Sequence, residues 1–583
     1  MRILFFTHRF GKDVVGGAEL HLWNLAEQMA RMGCQIDVAT AREKDIAPFM
    51  RFGLTWSSPH GAAREEIAVD GAAHPIRVFR FPVRHLPKAV GAICQKHLQH
   101  RWEREELAME PAMPLPAPPG TETPLLLTGW HLPEPVGGRW GRWTTGRAVL
   151  QLPATANASL HLQGAALKRV TIQLEHAGRS RVVFRGKGDF HVPVKLDDHP
   201  PGLAALTVEP TWRPLRDTRT LGVMVTQISL SNHGRIELTP FNSDHRTLRA
   251  LDHKKFIEAY LARAARRPRH YGWLFDQLRG PHCPGMAGFA KAHAAEYDWV
   301  IGGILPFDTI PALTRIRRRH PFRLALLPLF HVDDDFYYWR HYVDALKEAD
   351  VCLANSWFSR EIFFPALGAT SIVAGAGVDE RLFRRPGIDG ARFRKKYGIK
   401  PDEKIVLSVG RKNAGKRYQA IIHAVDDVQY RRKCRLVLVG PDEDRLAITS
   451  PNCLYVGTLP QEVLLDAYDA CDVFCLMSES ESFGMVFVEA WMREKPVVGN
   501  RNCAPVSYLI RHGETGLLAS DRRELEDCLV DLLNDPQKCK AYGQAGLVQV
   551  RREHTWPVVA QRVLDCLESM MGGGERSGTG TGP

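Results

Sequence analysis

MRILFFTHRFGKDVVGGAELHLWNLAEQMARMGCQIDVAT, residues 1–40, holds four structural signals in a row. ILFF is an apolar run of strand length. GKDVVGGAE is a loop with paired glycines. Leu20, Trp23, Leu25 and Met29 then lie near helical spacing, with Leu25 one step off the stripe. Gly33 ends that helix and QIDVAT reads as a second strand. Strand, glycine loop, helix, strand is the opening of a doubly wound α/β unit.

Outward from this start the pattern breaks and then resumes. Residues 111–119, PAMPLPAPP, form a proline-rich spacer that suits neither a helix interior nor a central strand. From about 125 to 232 short alternating runs follow, RAVLQL, SLHLQ, RVTIQLE, RVVFRG, GDFHVPVKL, LAALTVEP and LGVMVTQISL, separated by Gly, Pro and Asn turns. Period-two alternation at this spacing predicts an all-β sandwich inserted into the first unit. The α/β pattern returns with a helical segment, Phe256 to Ala265, and the strands DWVIGGI (298–304), RLALLPL (323–329) and DVCLAN (350–355). A second α/β set starts at KIVLSVG (404–410) and continues through RLVLVG, LYVG, DVFCLM and PVVG. Strands apolar on both faces suit a parallel sheet covered by helices. The expected fold class is α/β. Its first doubly wound domain spans 1–104 and 240–385, interrupted by a β-sandwich at 120–235. A second doubly wound domain spans 386–571, and a disordered tail 572–583.

Composition narrows the function classes. No run approaches the roughly 18–20 apolar residues of a membrane span. The four-residue apolar start, ILFF, is shorter than the apolar core of a secretion signal, so a cytoplasmic location is expected. The 12 cysteines include no CxxC pair and read as buried free thiols, so no metal site is expected. The net charge of +12 fits phosphorylated ligands, anionic membrane or nucleic acid. Nucleic-acid signatures are absent, so no nucleic-acid partner is expected. The run Arg315-Ile316-Arg317-Arg318-Arg319 offers a peripheral contact with anionic lipid on the inner face of the membrane, or a solvated helix face.

Three stretches carry chemistry. In Glu481-Ser-Phe-Gly-Met-Val-Phe-Val-Glu489 two carboxylates stand eight positions apart around Phe483-Gly484. A helix opening there would turn the N–H groups of Phe483, Gly484 and Met485 toward an anion such as a diphosphate. The loop Gly410-Arg-Lys-Asn-Ala-Gly-Lys416 directly follows a strand, where ligands of α/β sheets bind, and offers Arg411 and Lys416 as phosphate-gripping cations. Gly16-Gly17-Ala18-Glu19 follows the first strand and lets backbone approach a ligand closely. It lacks GxGxxG, and the loop at 410 is not a Walker A motif.

Taken in order, Gly16-Gly17-Ala18-Glu19, Arg411…Lys416 and Glu481-x7-Glu489 resemble the retaining GT-B glycosyltransferases of family 4. The resemblance covers about 1–104 and 245–570. It implies a GT-B fold, hexosyl transfer from a nucleoside diphosphate sugar, a glycan or lipid-linked acceptor against the N-terminal domain, and no cofactor or required metal. By the same resemblance Arg411 and Lys416 would neutralise the diphosphate, Glu489 would hold the ribose and Glu481 the transferred sugar. Gly16 and Gly17 would lie near the donor phosphates, and His331 would line the cleft. Asn355-Ser356 and Gly375-Ala376-Gly377-Val378-Asp379 match a strand-end loop and a domain-junction turn, Ala376 departing from the family's usual Asn. The resemblance also places hinge motion near 380–395 and in the last helix. Trp130 and Trp143 open the β-rich insert, where they serve either as glycan-stacking faces or as core. A catalytically degenerate glycan-binding protein of the same fold, and a phosphorylase-like or sucrose-synthase-like enzyme, stand as alternatives.

Overall fold

The computed structural model describes residues 1–12, 16–42, 62–83, most of 125–236, 253–267, 269–280, 282–332 and 337–572. The proline-rich stretch at 111–119 and the tail at 573–583 lie outside the described residues.

The first strand β1 (Arg2–Thr7) is buried along nearly its whole length. Leu4 and Phe6 enter one hydrophobic cluster while Ile3 and Phe5 enter another, so alternate residues feed the two faces of a sheet covered on both sides. β2 (Gln35–Ala41), β3 (Ala63–Ile67) and β4 (Ile76–Phe81) follow. The insert contributes β5 (Leu125–Leu126), β6 (Glu134–Val136), β7 (Arg139–Trp143), β8 (Arg147–Leu152), β9 (Ser159–His176), β10 (Arg179–Lys195), β11 (Gly202–Glu209), β12 (Met224–Leu230) and β13 (Gly234–Ile236). The first domain resumes with β14 (Trp299–Gly303), β15 (Leu324–Leu327), β16 (Val351–Ala354) and β17 (Ser371–Val373). Its sheet order is β17-β16-β15-β14-β1-β2-β4-β3, parallel except for the β3–β4 hairpin.

Helix Gly17–Arg31 joins β1 to β2 and buries Leu22, Trp23, Leu25, Ala26 and Met29. Leu20, expected on that apolar side, is 47% exposed. Trp23, Leu25 and Met29 are buried as expected, and Leu22 takes the place expected for Leu20. The predicted segment Phe256–Ala265 lies inside the observed helix His253–Arg266.

The second domain holds β18 (Lys404–Val409), β19 (Cys434–Val439), β20 (Cys453–Tyr455), β21 (Val473–Leu476), β22 (Val497–Asn500) and β23 (Gly516–Ala519). Their order is β20-β19-β18-β21-β22-β23, with every pairing parallel. Ile405 and Leu407 face one cluster and Val406 the other, repeating the two-sided burial of β1.

The insert is all-β and antiparallel, as its alternation predicts. Among the described residues hydrogen bonds link its strands into one network. The long β9 pairs β12 through Leu160–Ala165 and β11 through Thr171–His176, while β10 lies along its other edge. Leu160, Leu162, Val170, Ile172 and Leu174 of β9 meet Leu206, Val208, Ile228 and Leu230 in one core.

The domain boundary differs from the expected 385/386. Ala374 belongs to the first domain's core and Ala376 to the second's, with Gly375 at φ 76 between them. The final helix Trp556–Gly572, expected in the second domain, instead packs Trp556, Val559, Val563 and Leu567 against Ile3, Phe5 and Leu22 of the first. Its apolar face completes the β1 side of the first sheet, and Trp299 Nε1 donates to the Leu567 carbonyl at 3.2 Å. The two crossings meet where Val378 pairs with Thr555 and its N–H donates to the His554 carbonyl at 2.7 Å.

Candidate active site

In an open parallel sheet, a crevice forms where strand order reverses, at the carboxyl ends of the two strands flanking that point. In the second domain these strands are β18 and β21. The loop after β18 is 410–417 and the loop after β21 is 477–484, so both strongest sequence motifs fall on the two sides of one crevice.

Lys416 and Glu481 meet there as an ion pair, both side chains largely withdrawn from water. Burial alone would push the Glu481 carboxyl up. The Lys416 ammonium, His331 and the Ser478 hydroxyl outweigh it and hold the group below the ordinary glutamate value. His331 arrives from the loop after β15 in the other domain, its Nδ1 2.9 Å from the Ser480 hydroxyl. The expected cleft histidine therefore touches the Glu481 loop across the domain boundary.

Gly484 caps helix Met485–Met492 with φ 100, a conformation that favours glycine, and a Cβ there would lie 2.9 Å from the Phe487 ring. A helix leaves its first N–H groups without helical acceptors, at its positive dipole end. Phe483 itself is buried, its ring edge-on to His554 at 5.2 Å, so only its backbone borders the crevice. Glu489 lies further along the helix, where the Tyr468 hydroxyl donates to one carboxylate oxygen at 2.6 Å. Burial raises its pKa against that hydrogen bond.

Arg411 does not join Lys416. Its guanidinium is 60% exposed and lies 3.3 Å from Glu443 of the loop after β19, which also accepts from Asn413 at 2.7 Å. Lys412, to which the sequence assigned no role, is buried and holds Asp442, Asp444 and the Leu446 carbonyl, stitching the loops after β18 and β19 together.

In the first domain Gly16 and Gly17 separate in function. A Cβ on Gly16 would lie 2.0 Å from Glu19 Oε2, so a side chain there would have to displace the Glu19 carboxylate. A Cβ on Gly17 would meet nothing within 4 Å. Glu19 folds back to pair with His8 at 3.0 Å and with Arg9, all three buried. Burial pushes its carboxyl up, but His8 and Arg9 bring it down to about 2. Asn355 and Ser356 are buried at the end of β16, and the Ser356 hydroxyl caps Ser359 N at 3.2 Å.

The insert corrects one expectation. Trp143 is 3% exposed and packs with Leu221 and Met224, so it offers no face for stacking on a sugar. Trp130 is half-buried against the insert's core, its Nε1 donating to the Val149 carbonyl at 2.9 Å. The arginine run at 315–319 is partly neutralised: Arg315 pairs with Asp308, Arg317 with Asp350 and Arg318 with Glu348. Among the described residues no helix is long and apolar enough to cross a membrane, no metal-ligand cluster occurs and the cysteines are free.

The segment that holds this crevice is similar to known proteins. Residues 389–548 match the family described as glycosyl transferases group 1. The match lies within the second domain. The match covers β18 to β23 and both crevice loops. An N-acetyl-alpha-D-glucosaminyl L-malate synthase of Bacillus anthracis is 28% identical over 177 residues, covering 29% of this chain and 45% of the relative. A D-inositol 3-phosphate glycosyltransferase of Corynebacterium efficiens is 32% identical over 210 residues, 33% of this chain and 49% of the relative. The chain thus spans about half the length of these curated relatives. A solved structure of Anabaena HepE in complex with UDP-glucose is similar at 19% identity and a TM-score of 0.41, over 57% of this chain and 98% of that one.

Sequence reasoning missed a third element of the crevice. Arg417 and Glu479, both fully buried, form an ion pair at 3.2 Å between its two loops. The Ser-Glu-Ser-Glu-Ser run at 478–482 gives no sign of it, because an acid among serines reads as a solvated loop residue.

Proposed function

We propose that this chain is a hexosyl-type glycosyltransferase acting with retention of configuration, of the GT-B family 4 kind. It moves sugar from a nucleoside diphosphate donor to a glycan or lipid-linked acceptor, in bacterial surface polysaccharide biosynthesis at the cytoplasmic side of the membrane. The observation that carries this reading is the convergence of Lys416, Glu481 and the start of helix Met485–Met492 in one crevice, inside the glycosyl transferases group 1 segment. HepE was solved with UDP-glucose, a donor of this class.

Cleavage of the sugar–phosphate bond builds positive character on the sugar and negative charge on the departing diphosphate. Lys416 and the helix N-terminus face the second charge, and Arg411 joins them by exchanging Glu443 for phosphate oxygens. The reading calls on no metal ion or cofactor. Glu481, held ionised, faces the sugar. Glu489, steadied by Tyr468, accepts from the ribose hydroxyls. His331 closes the site from the acceptor side, and Gly17 leaves room for close approach. The acceptor attacks from the face the diphosphate leaves, with the phosphate assisting its deprotonation. The insert, a sandwich in this reading, serves acceptor or partner contacts through surfaces other than Trp143.

The test is a thermal-shift screen of UDP, GDP, ADP, dTDP and CMP with their common sugar conjugates, on the native protein and on Lys416→Ala. A ligand at about a hundredfold its Kd stabilises the folded state by roughly 2.7 kcal/mol. A shift with one nucleoside diphosphate that disappears in Lys416→Ala is the expected result. No shift with any nucleotide from folded protein would sink the reading in favour of a degenerate glycan-binding protein.

A further inference from the structure

We propose that the buried Arg417–Glu479 ion pair is a positioning device that locks the phosphate-facing loop 410–417 onto the loop carrying Glu481. This inference rests on the donor site proposed above and assigns that site residues beyond those that touch the donor.

Arg417 immediately follows Lys416 and opens helix Tyr418–Val428 with φ 50 and ψ 31, in the left-handed region. Glycine adopts this conformation freely, whereas a residue with a Cβ is strained in it. Such strain persists where the surroundings over-determine it, and it gathers at functional sites. Here the Arg417 side chain is 2% exposed, and its Nε donates to Glu479 Oε1 at 3.2 Å, with Glu479 3% exposed. The Glu479 N–H donates to the Gly415 carbonyl at 2.9 Å, so a backbone bond and a side-chain pair tie the same two loops. From the opposite side, Asn500 at the end of β22 donates to the Ser478 carbonyl at 3.0 Å.

The buried pair flanks the reactive one. Lys416 precedes Arg417 by one residue and Glu481 follows Glu479 by two, so Lys416–Glu481 stands on a base of Arg417–Glu479. Removing either partner of a buried ion pair strands the other charge without compensation, so the two loops resist parting. A misplacement of about 1 Å at a reacting centre is enough to cost large factors in rate, and this base holds the Lys416 ammonium where the diphosphate must lie.

The experiment is calorimetric titration of the full-length protein with UDP, GDP, ADP and dTDP and with the matching monophosphates. Native protein, Arg417→Gly, Glu479→Gln and the double variant are compared. Arg417→Gly removes the pair but relieves the left-handed strain, Glu479→Gln keeps a polar group at 479, and a melting curve confirms that each variant is folded. Expected is a fall of about tenfold in the preference for diphosphate over monophosphate in both single variants, with monophosphate affinity within about twofold of native. The double variant should be no worse than the poorer single one, because the two residues act as a unit. An unchanged diphosphate preference in folded variants, with only the melting temperature moved, would overturn the inference and leave the donor site standing. If the native protein binds none of these nucleotides, the donor-site reading falls and this inference falls with it.

Discussion

Each of the two parallel sheets reverses its strand order beside its first strand, between β1 and β14 in one domain and between β18 and β21 in the other. The crevices that result are used in opposite ways. At the first, the loop after β1 carries His8 and Arg9, and both turn inward onto Glu19 of the following helix. The His8 ring stacks on Phe307, from the loop after β14, at 3.8 Å, so the two sides of this crevice close on each other. At the second, Lys416 and Arg411 take their carboxylate partners from neighbouring loops, and Arg411 stays largely in water. Topology supplies a crevice in both domains. The placement of charge makes one a lock and, in the proposed function, the other a receptor for an anion.

The largest expected effect breaks the lock. Glu19→Ala would leave His8 and Arg9 buried without their anion, a loss of about 3–5 kcal/mol of folding stability. Urea titration should show it, while nucleotide affinity at the other crevice stays at the native value in the folded fraction. A stable Glu19→Ala variant would mean that the first crevice is not sealed by this triad.

The next effect comes from the seam between the domains. His554 packs beside Phe483 of the second crevice, and His21 stands edge-on to Trp556 at 5.1 Å. Burial lowers both from 6.5 to about 4, in His554 with Arg562 adding to it against the opposing pull of Glu553. The unfolded chain therefore binds more protons between these values, and stability falls as pH drops from about 6.5 to about 4. Above 6.5 their contribution is fully present. The loss is of order 3 kcal/mol for each histidine at about 1.4 kcal/mol per pH unit. His554→Phe should remove about half of that slope in denaturant titrations across the range. A native stability flat from pH 6.5 to 4 would show that these rings are not held neutral.

The contrast between the crevices also explains what could be read in the chain before its fold. Both sheets were legible because apolar runs such as ILFF and KIVLSV feed cores on two faces, and the motif loops followed from where those strands end. Lys416 was legible as a cation at a strand end and Glu481 as a carboxylate before a helix start, and His331 only as a resemblance; that they touch depends on two loops and two domains meeting. Arg417, Glu479 and Lys412 were not legible, because a charged residue in a polar loop looks solvated until its partner is placed. The final helix was assigned to the wrong domain for a similar reason. Its apolar stripe announces burial and not the sheet against which it is buried. Trp143 illustrates the same limit, since an aromatic ring serves stacking or core equally well until its exposure is known.

The smallest expected effect sharpens the comparison most. Glu19 and Glu443 are both carboxylates bound to an arginine in a strand-end loop, but Glu19 is buried and Glu443 is not. An exposed pair of this kind contributes about 0–1 kcal/mol and weakens with salt. On the proposed function Glu443 is a lodger on Arg411 that a diphosphate would displace, whereas Glu19 is permanent. Glu443→Ala should leave the melting temperature unchanged and raise nucleoside diphosphate affinity by about twofold to threefold at low salt, as Arg411 no longer trades one anion for another. The gain should shrink as ionic strength rises through the range where surface charges are screened. Affinity that falls in Glu443→Ala would give Glu443 the opposite role, as a group that itself binds the nucleoside. The second crevice would then hold its ligand through an anion as well as through cations.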